Sequence, residues 1–138
     1  MTYAFQPPSL RAQCIRVVDG DTIDVFVDCG FREFKTMRLR LAGINAPEMH
    51  SKDATERLAA QAAKMWLTSI LYADDLVLAS LAKPSPVGEW PLRLITYKDP
   101  DSFGRWIADV FIHGDDGEIS INAMALDLGH AKPYVKGK

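Results

Sequence analysis

The sequence predicts an α+β domain, a sheet of short strands covered by one long helix and one or two short ones. Three observations carry that prediction. Extended, β-branched stretches separated by turn signals fill roughly the first forty residues; an alanine-rich amphipathic run of about twenty follows; further extended stretches return in the second half. At 138 residues the chain suffices for one sizeable core and not for two. A single domain spanning 1–138 is expected, with 1–10, carrying Pro7-Pro8, an irregular lead-in and 130–138 an irregular, basic tail.

Residues 12–18 (AQCIRVV) and 22–28 (TIDVFVD) are strand-like, and the intervening Asp-Gly-Asp is a turn signal, so the pair reads as a hairpin. After CGFRE, the stretch FKTMRLRLAGI is a third strand with Met37, Leu39 and Leu41 on one face and Arg38 and Arg40 on the other. Pro47 ends it, since proline lacks the ladder donor and holds Ala46 extended. Three short consecutive strands predict an antiparallel meander.

Asp53-Ala54-Thr55-Glu56 has the form of a capping box, with Asp53 accepting from first-turn amides and Glu56 reaching back. From there to about Tyr72, Leu58, Ala59, Ala62, Trp66, Leu67, Ile70 and Leu71 recur at helical spacing. Residues 75–82 read as a fourth strand. KPSPVGEWP is a break rich in proline and LRLITY is extended again, so 83–98 is expected to form an extended hairpin insertion. After the Lys98–Gly104 loop, RWIADVFIH is a strand with Trp106, Ala108 and Val110 opposed to Ile107, Asp109 and Phe111. GDDGE is a hairpin turn, and SINAMALDLG a short helix capped by Ser120 or Asn122 and stopped at Gly129.

Composition constrains function weakly. The net charge of −2 and pI near 5.9 exclude a strongly basic, chain-wide grip on polyanions but leave local basic patches open. Cys14 and Cys29 form neither a CxxC nor a metal cluster and read as two buried thiols or a cross-strand disulfide. His50, His113 and His130 stand apart from one another, which favours surface or structural roles over a zinc site. Trp66 and Trp106 are expected in the core, and Trp90 in its proline-bracketed loop is exposed or part of a hairpin lid. The opening MTYAFQPPSLR has no charged segment followed by an apolar one, and no run reaches membrane-spanning length. A soluble, monomeric, cytoplasmic chain without membrane contact is expected.

The candidate chemistry starts at Asp19-Gly20-Asp21. Two carboxylates this close repel unless a cation, an arginine or solvent compensates them, and hard oxygens at a rigid strand end suit Ca²⁺ or Mg²⁺. A solvated Asp-Gly turn is the plainer reading of that motif alone. Arg40, five residues before Asn45 and eight before Glu48, can join an arginine, an amide and a carboxylate at one sheet edge, although Arg38 and Arg40 can equally be solubilising. DPDSFGR offers a second arginine, Arg105, behind the flexible Gly104, with Asp101 able to orient the guanidinium or tether the loop. Two arginines, a carboxylate and a hard cation are what hydrolysis of a phosphodiester requires.

Taken in order, VVDGDTIDV, RLRLAGINAPE, DSFGRWIADVFI and NAMALDLGHAKPY resemble the staphylococcal nuclease, or thermonuclease-like, family over residues 12 to about 134. The resemblance implies an OB-like five-stranded barrel with packed helices and Ca²⁺-dependent hydrolysis of DNA or RNA leaving 3′-phosphate ends. It implies Asp21 and Asn45 as metal ligands with the Ala46 backbone carbonyl, Arg40 and Arg105 as phosphate-binding and transition-state arginines, and Glu48 as the residue that positions or deprotonates water. Asp19 falls close to the metal, and Phe103 and Tyr134 fall beside the substrate. Two residues depart from the family pattern: Asn45 stands where aspartate is usual, and Phe103 where tyrosine is. The chain also ends at Lys138, before the C-terminal helix of longer members. Loss of one negative charge at Asn45 predicts weaker Ca²⁺ binding. A non-catalytic OB-like nucleic-acid-binding module is the leading alternative, and a structural barrel the third.

Overall fold

The computed structural model describes residues 1–6, 8–72, 84–99 and 104–134. Among these described residues, eight strands and two helices follow in the order β1 Ser9–Asp19, β2 Thr22–Asp28, β3 Phe34–Leu41, β4 Ile44–Asn45, α1 Ala54–Leu71, β5 Leu92–Lys98, β6 Trp106–Gly114, β7 Gly117–Ser120, α2 Ile121–Asp127 and β8 Lys132–Pro133. The predicted strand at 75–82 lies outside the described residues.

The barrel closes because β3 and β6, far apart in sequence, pair in parallel at Leu39–Trp106, Arg40–Ile107 and Leu41–Ala108. Antiparallel pairing supplies the other seams, β1 with β2 and β5, β2 with β3, and β5 with β6. These five strands form the OB-like barrel that the family likeness implies. Closure leaves few ladder groups at a free edge. Register irregularities in β1 between Cys14 and Arg16, and between Val17 and Asp19, let that long strand bend around the barrel.

Period-two alternation fills the interior. Ile23, Val25 and Val27 of β2, Leu39 and Leu41 of β3, Leu92 and Leu94 of β5, and Ala108 and Val110 of β6 are all buried. Each large aliphatic side chain removed from water contributes about 1.5–3 kcal/mol. Residues 84–91 are irregular, with a turn at 86–87, and Leu92–Lys98 is a barrel strand between β1 and β6. An additional hairpin stands beyond the five strands, where β6 turns at Gly114–Gly117 into β7.

Helix α1 covers the barrel through Ala60, Ala63, Leu67 and Leu71, with Trp66 and Ile70 beside them. The docking face is therefore rotated from the predicted one: Leu58 is 66 % exposed, and Ala59 and Ala62 face water. Small side chains face the barrel near the start of the helix, where the approach is close: a Cβ on Gly20 would stand 2.8 Å from Ala63 Cβ. Asp53 caps α1 by accepting from Thr55 N–H at 2.9 Å. Glu56 does not close the box on Asp53; it reaches Ser51 Oγ, and Ser51 Oγ accepts from Asp53 N–H. Ser120 caps α2, accepting from Ala123 N–H at 3.1 Å.

Several smaller expectations change. Lys132–Pro133, read as irregular tail, pairs with Ile44–Asn45. Cys14 is half-buried and Cys29 exposed, both free thiols, so neither buried pair nor disulfide forms. Trp90 is half-buried, stacked with Phe26 and Phe34 at 5.8 and 6.0 Å and covered by Arg11. Among the described residues no helix is long and apolar enough to cross a membrane.

Candidate active site

Three pairings bring the candidate residues to one corner of the barrel. Thr22 of β2 faces Arg40 of β3, and Leu41 N–H donates to Asp21 C=O at 2.8 Å, which fixes the Asp-Gly-Asp turn beside the end of β3. The parallel seam sets Arg40 opposite Ile107, two residues beyond Arg105. At Gly43 the backbone takes φ +74, a left-handed conformation that glycine adopts without strain, and the chain doubles back so that Asn45 returns to Arg40.

Arg40 is the hub. Its Nη2 donates to Asn45 Oδ1 at 2.6 Å and to Ile44 C=O at 3.3 Å, and lies 3.7 Å from Asp21 Oδ2. Its guanidinium carbon stands 5.0 Å from the ring centroid of Tyr134, whose own N–H donates to Gly43 C=O. Arg40, Arg105, Asp99, Gly43 and Tyr134 line a small hollow of about 130 Å³.

Asp21 is 9 % exposed. Its Oδ2 accepts from Ala46 N–H at 2.9 Å and its Oδ1 from Thr22 Oγ1 at 3.0 Å. Burial and then the neighbouring Asp19 carboxylate push its pKa up to about 6, against the opposing pull of the Ala46 amide and Arg40. Asp19 accepts from the backbone N–H of Asp21. Asp19, Asp21, Ala46 and Glu48 line a second hollow of about 350 Å³, which Arg16 and Lys64 also border.

The four central candidates thus divide between two hollows, Arg40 and Arg105 in one and Asp21 and Glu48 in the other. The 3.7 Å contact between Arg40 and Asp21 joins them. Asp101 and Phe103 lie outside the described residues. Sequence reasoning missed Asp99: it is 8 % exposed and accepts from Arg105 Nε at 2.5 Å, while its N–H donates to Arg105 C=O. Asp99 thus joins the two ends of the loop and orients the Arg105 guanidinium. Strand position was the available signal, since Asp99 is the first residue past β5 and cross-strand to Arg105.

Ca²⁺, which the family likeness implies, takes oxygen ligands. The donor chemistry of this corner fits: two adjacent carboxylates, an amide oxygen and backbone carbonyls. The residues that would hold the ion are Asp21, Asn45 through its amide oxygen, and Ala46 through its carbonyl. Among the described residues no group of three or more His, Cys, Asp and Glu is placed to hold a metal by side chains alone.

A larger hollow, about 680 Å³, opens elsewhere against Met37, Leu39, Tyr97 and Trp106. Its lining is mostly apolar, and it contains neither the acidic corner nor the paired arginines, so volume alone does not locate the chemistry here.

No family model matches the chain. An uncharacterized protein of Methanocaldococcus jannaschii, MJ1439, is 25% identical over 124 residues, covering 88% of this chain and 58% of that protein. The chain thus spans less than two thirds of that relative's length. The barrel with its helices is consistent in general with the staphylococcal nuclease and OB superfamily, and with a nucleic-acid-binding module.

Proposed function

We propose that this chain is a Ca²⁺-dependent phosphodiesterase that hydrolyses DNA and RNA strands at the corner between β2, β3 and β6. The observation that carries the reading is Arg40, held 2.6 Å from Asn45 and 3.7 Å from the buried Asp21 while sharing a hollow with Arg105. A guanidinium pair beside an acidic, cation-attracting corner is the arrangement that a five-coordinate phosphorus calls for.

Ca²⁺, when bound, supplies positive charge to the scissile phosphate and to the attacking water. Asp21, kept in place by the Ala46 amide and the Thr22 hydroxyl, needs no reorientation to act as an anionic ligand. Arg40 offers its fork to one non-bridging phosphate oxygen, exchanging part of its bonding to Asn45 and Ile44 for the substrate. Arg105, oriented through Nε by Asp99, presents its remaining N–H donors to the oxygens on which charge develops, including the leaving 5′-oxygen. Glu48, exposed at the acidic hollow, aligns the water and accepts its proton. The 3′-phosphate product follows from loss of the 5′-oxygen. Removing one donor to developing charge typically costs about 3–4 kcal/mol, or roughly a hundredfold to a thousandfold in rate.

A second reading has its own observation. The Asn45 amide oxygen is engaged by Arg40, and three anionic ligands are not assembled among the described residues. A binding module that keeps the arginines and has lost the metal would look the same. Digestion of single-stranded DNA and RNA that requires a divalent ion and is abolished by Glu48→Gln or Arg105→Ala, with strand binding retained by Glu48→Gln, supports the nuclease. Strand binding without digestion selects the module.

A further inference from the structure

Between β4 and α1 the chain carries Glu48 on a short connection, residues 46 to 53, that is fixed at both ends. At the start, Ala46 N–H donates to the buried Asp21 carboxylate at 2.9 Å. At the far end everything gathers on Glu56, in the first turn of α1. One carboxylate oxygen accepts from Glu48 N–H at 3.3 Å and the other from Ser51 Oγ at 2.7 Å. Ser51 N–H donates back to Glu48 C=O at 3.4 Å, and Arg57 Nη1 donates to Ser51 C=O at 2.7 Å. The Ser51 and Glu48 hydrogen bonds, with Lys132 as a smaller influence, hold the Glu56 carboxyl below its usual pKa.

This arrangement does something a capping box does not. In that motif the carboxylate would return to the cap residue's own N–H. Here it passes over Asp53 and takes the amide of Glu48 instead, while Ser51 Oγ relays the cap by accepting from Asp53 N–H. The backbone of an exposed loop residue is thereby tied to the rigid first turn of an 18-residue helix. An exposed carboxylate on an untethered loop would sample many directions, and misplacement by about 1 Å can lower a rate by on the order of a hundredfold.

We propose that Glu56 is a positioning residue for Glu48: it touches no substrate, and it holds the Glu48 backbone so that the Glu48 carboxylate faces the acidic hollow lined by Asp19 and Asp21. The inference rests on the nuclease reading for its catalytic consequence, but the tether itself can be measured without activity.

The test uses the whole chain. In EDTA, amide exchange of Glu48 N–H is expected to quicken on the order of tenfold or more in Glu56→Ala, and to stay near the natural rate at Leu67, in the middle of α1. With Ca²⁺ and single-stranded DNA, Glu56→Ala is expected to lower kcat by on the order of tenfold to a hundredfold with KM within about twofold. Glu56→Gln keeps one acceptor oxygen and is expected to recover part of that loss. In a Glu48→Gln background, Glu56→Ala is expected to add nothing, because the group it positions is already disabled. A protected Glu48 amide in Glu56→Ala, or a kcat loss that multiplies undiminished in the Glu48→Gln background, overturns the inference. A natural chain that cleaves nothing overturns the nuclease reading and with it the catalytic part of this one. A chain that cleaves, and whose Glu56→Ala variant keeps the natural kcat, overturns the positioning role alone.

Discussion

Arg40 donates a 2.6 Å hydrogen bond to the amide oxygen of Asn45, so the residue that departs from the pattern of the family the sequence resembles is also the one that holds Arg40. A neutral amide can do this without adding negative charge next to Asp21. Replacing it by aspartate adds that charge at the same corner and makes the bond to Arg40 charge-assisted. Asn45→Asp is therefore expected to bind Ca²⁺ more tightly, by about 1.4 kcal/mol or roughly tenfold in Kd. Calorimetric titration with Ca²⁺ checks it. Equal constants for the two proteins would remove residue 45 from the ion's surroundings.

Asp21 makes stability depend on pH. Its pKa is raised from 3.8 in the unfolded chain to about 6 in the fold, by burial and by Asp19. A raised carboxyl stabilises the fold fully below about pH 4, and that contribution is lost as pH rises through about 6. Without metal, urea denaturation is expected to show a loss of up to about 3 kcal/mol between those limits from this group. Asp21→Asn, which cannot ionise, is expected to remove this decline and to be the more stable protein at pH 7 in EDTA, while losing activity. An unchanged slope in the variant would contradict the assignment.

Asn122 joins α2 to the seam that closes the barrel. Its Oδ1 accepts from Val110 N–H at 2.9 Å, and its Nδ2 donates to Ala42 C=O at 2.9 Å and Ala108 C=O at 3.0 Å. Asn122→Ala removes these partners in a site that is 6 % exposed. A destabilisation of about 2–4 kcal/mol is expected, read as a fall in the urea midpoint. A change below about 1 kcal/mol would mean that water replaces the amide.

Much of the fold was legible because strand faces and helix caps are local. Ile23 and Val25, or Leu39 and Leu41, alternate visibly with polar neighbours, and Ser120 marks the start of α2 in the sequence itself. The rotation of α1 was not legible. Leu58 and Ala59 obey helical spacing as well as Ala60 and Ala63 do, and only the closeness of the barrel decides between them. Asp21, Arg40 and Arg105 were singled out from their chemistry and from motif order, neither of which reveals that they line two hollows. Asp99 and Glu56 were missed as site residues because their roles depend on partners six and eight residues away across a turn, which no periodic pattern encodes.

Gly20 explains why the acidic turn has its small central residue. A Cβ there would stand 2.8 Å from Ala63 Cβ and 3.0 Å from Ala46 Cβ, between α1 and the segment that carries Asn45 and Glu48. Gly20→Ala is expected to destabilise the chain by about 1–3 kcal/mol and to lower activity beyond that, since the two carboxylates it separates must shift. Thermal unfolding together with kcat measured well below the transition distinguishes the two effects. Natural stability and natural kcat in Gly20→Ala would show that the helix can give way freely.

The most direct measurement is a Ca²⁺ titration of single-stranded DNA cleavage, with EDTA as the baseline and Arg105→Ala alongside. Cleavage is expected to rise from none to a plateau as Ca²⁺ saturates, with the variant half-saturating at the same concentration and its plateau lower by about a hundredfold or more. Cleavage that persists in EDTA, or an Arg105→Ala plateau equal to that of the natural chain, would contradict a phosphate held between the acidic corner and the paired arginines.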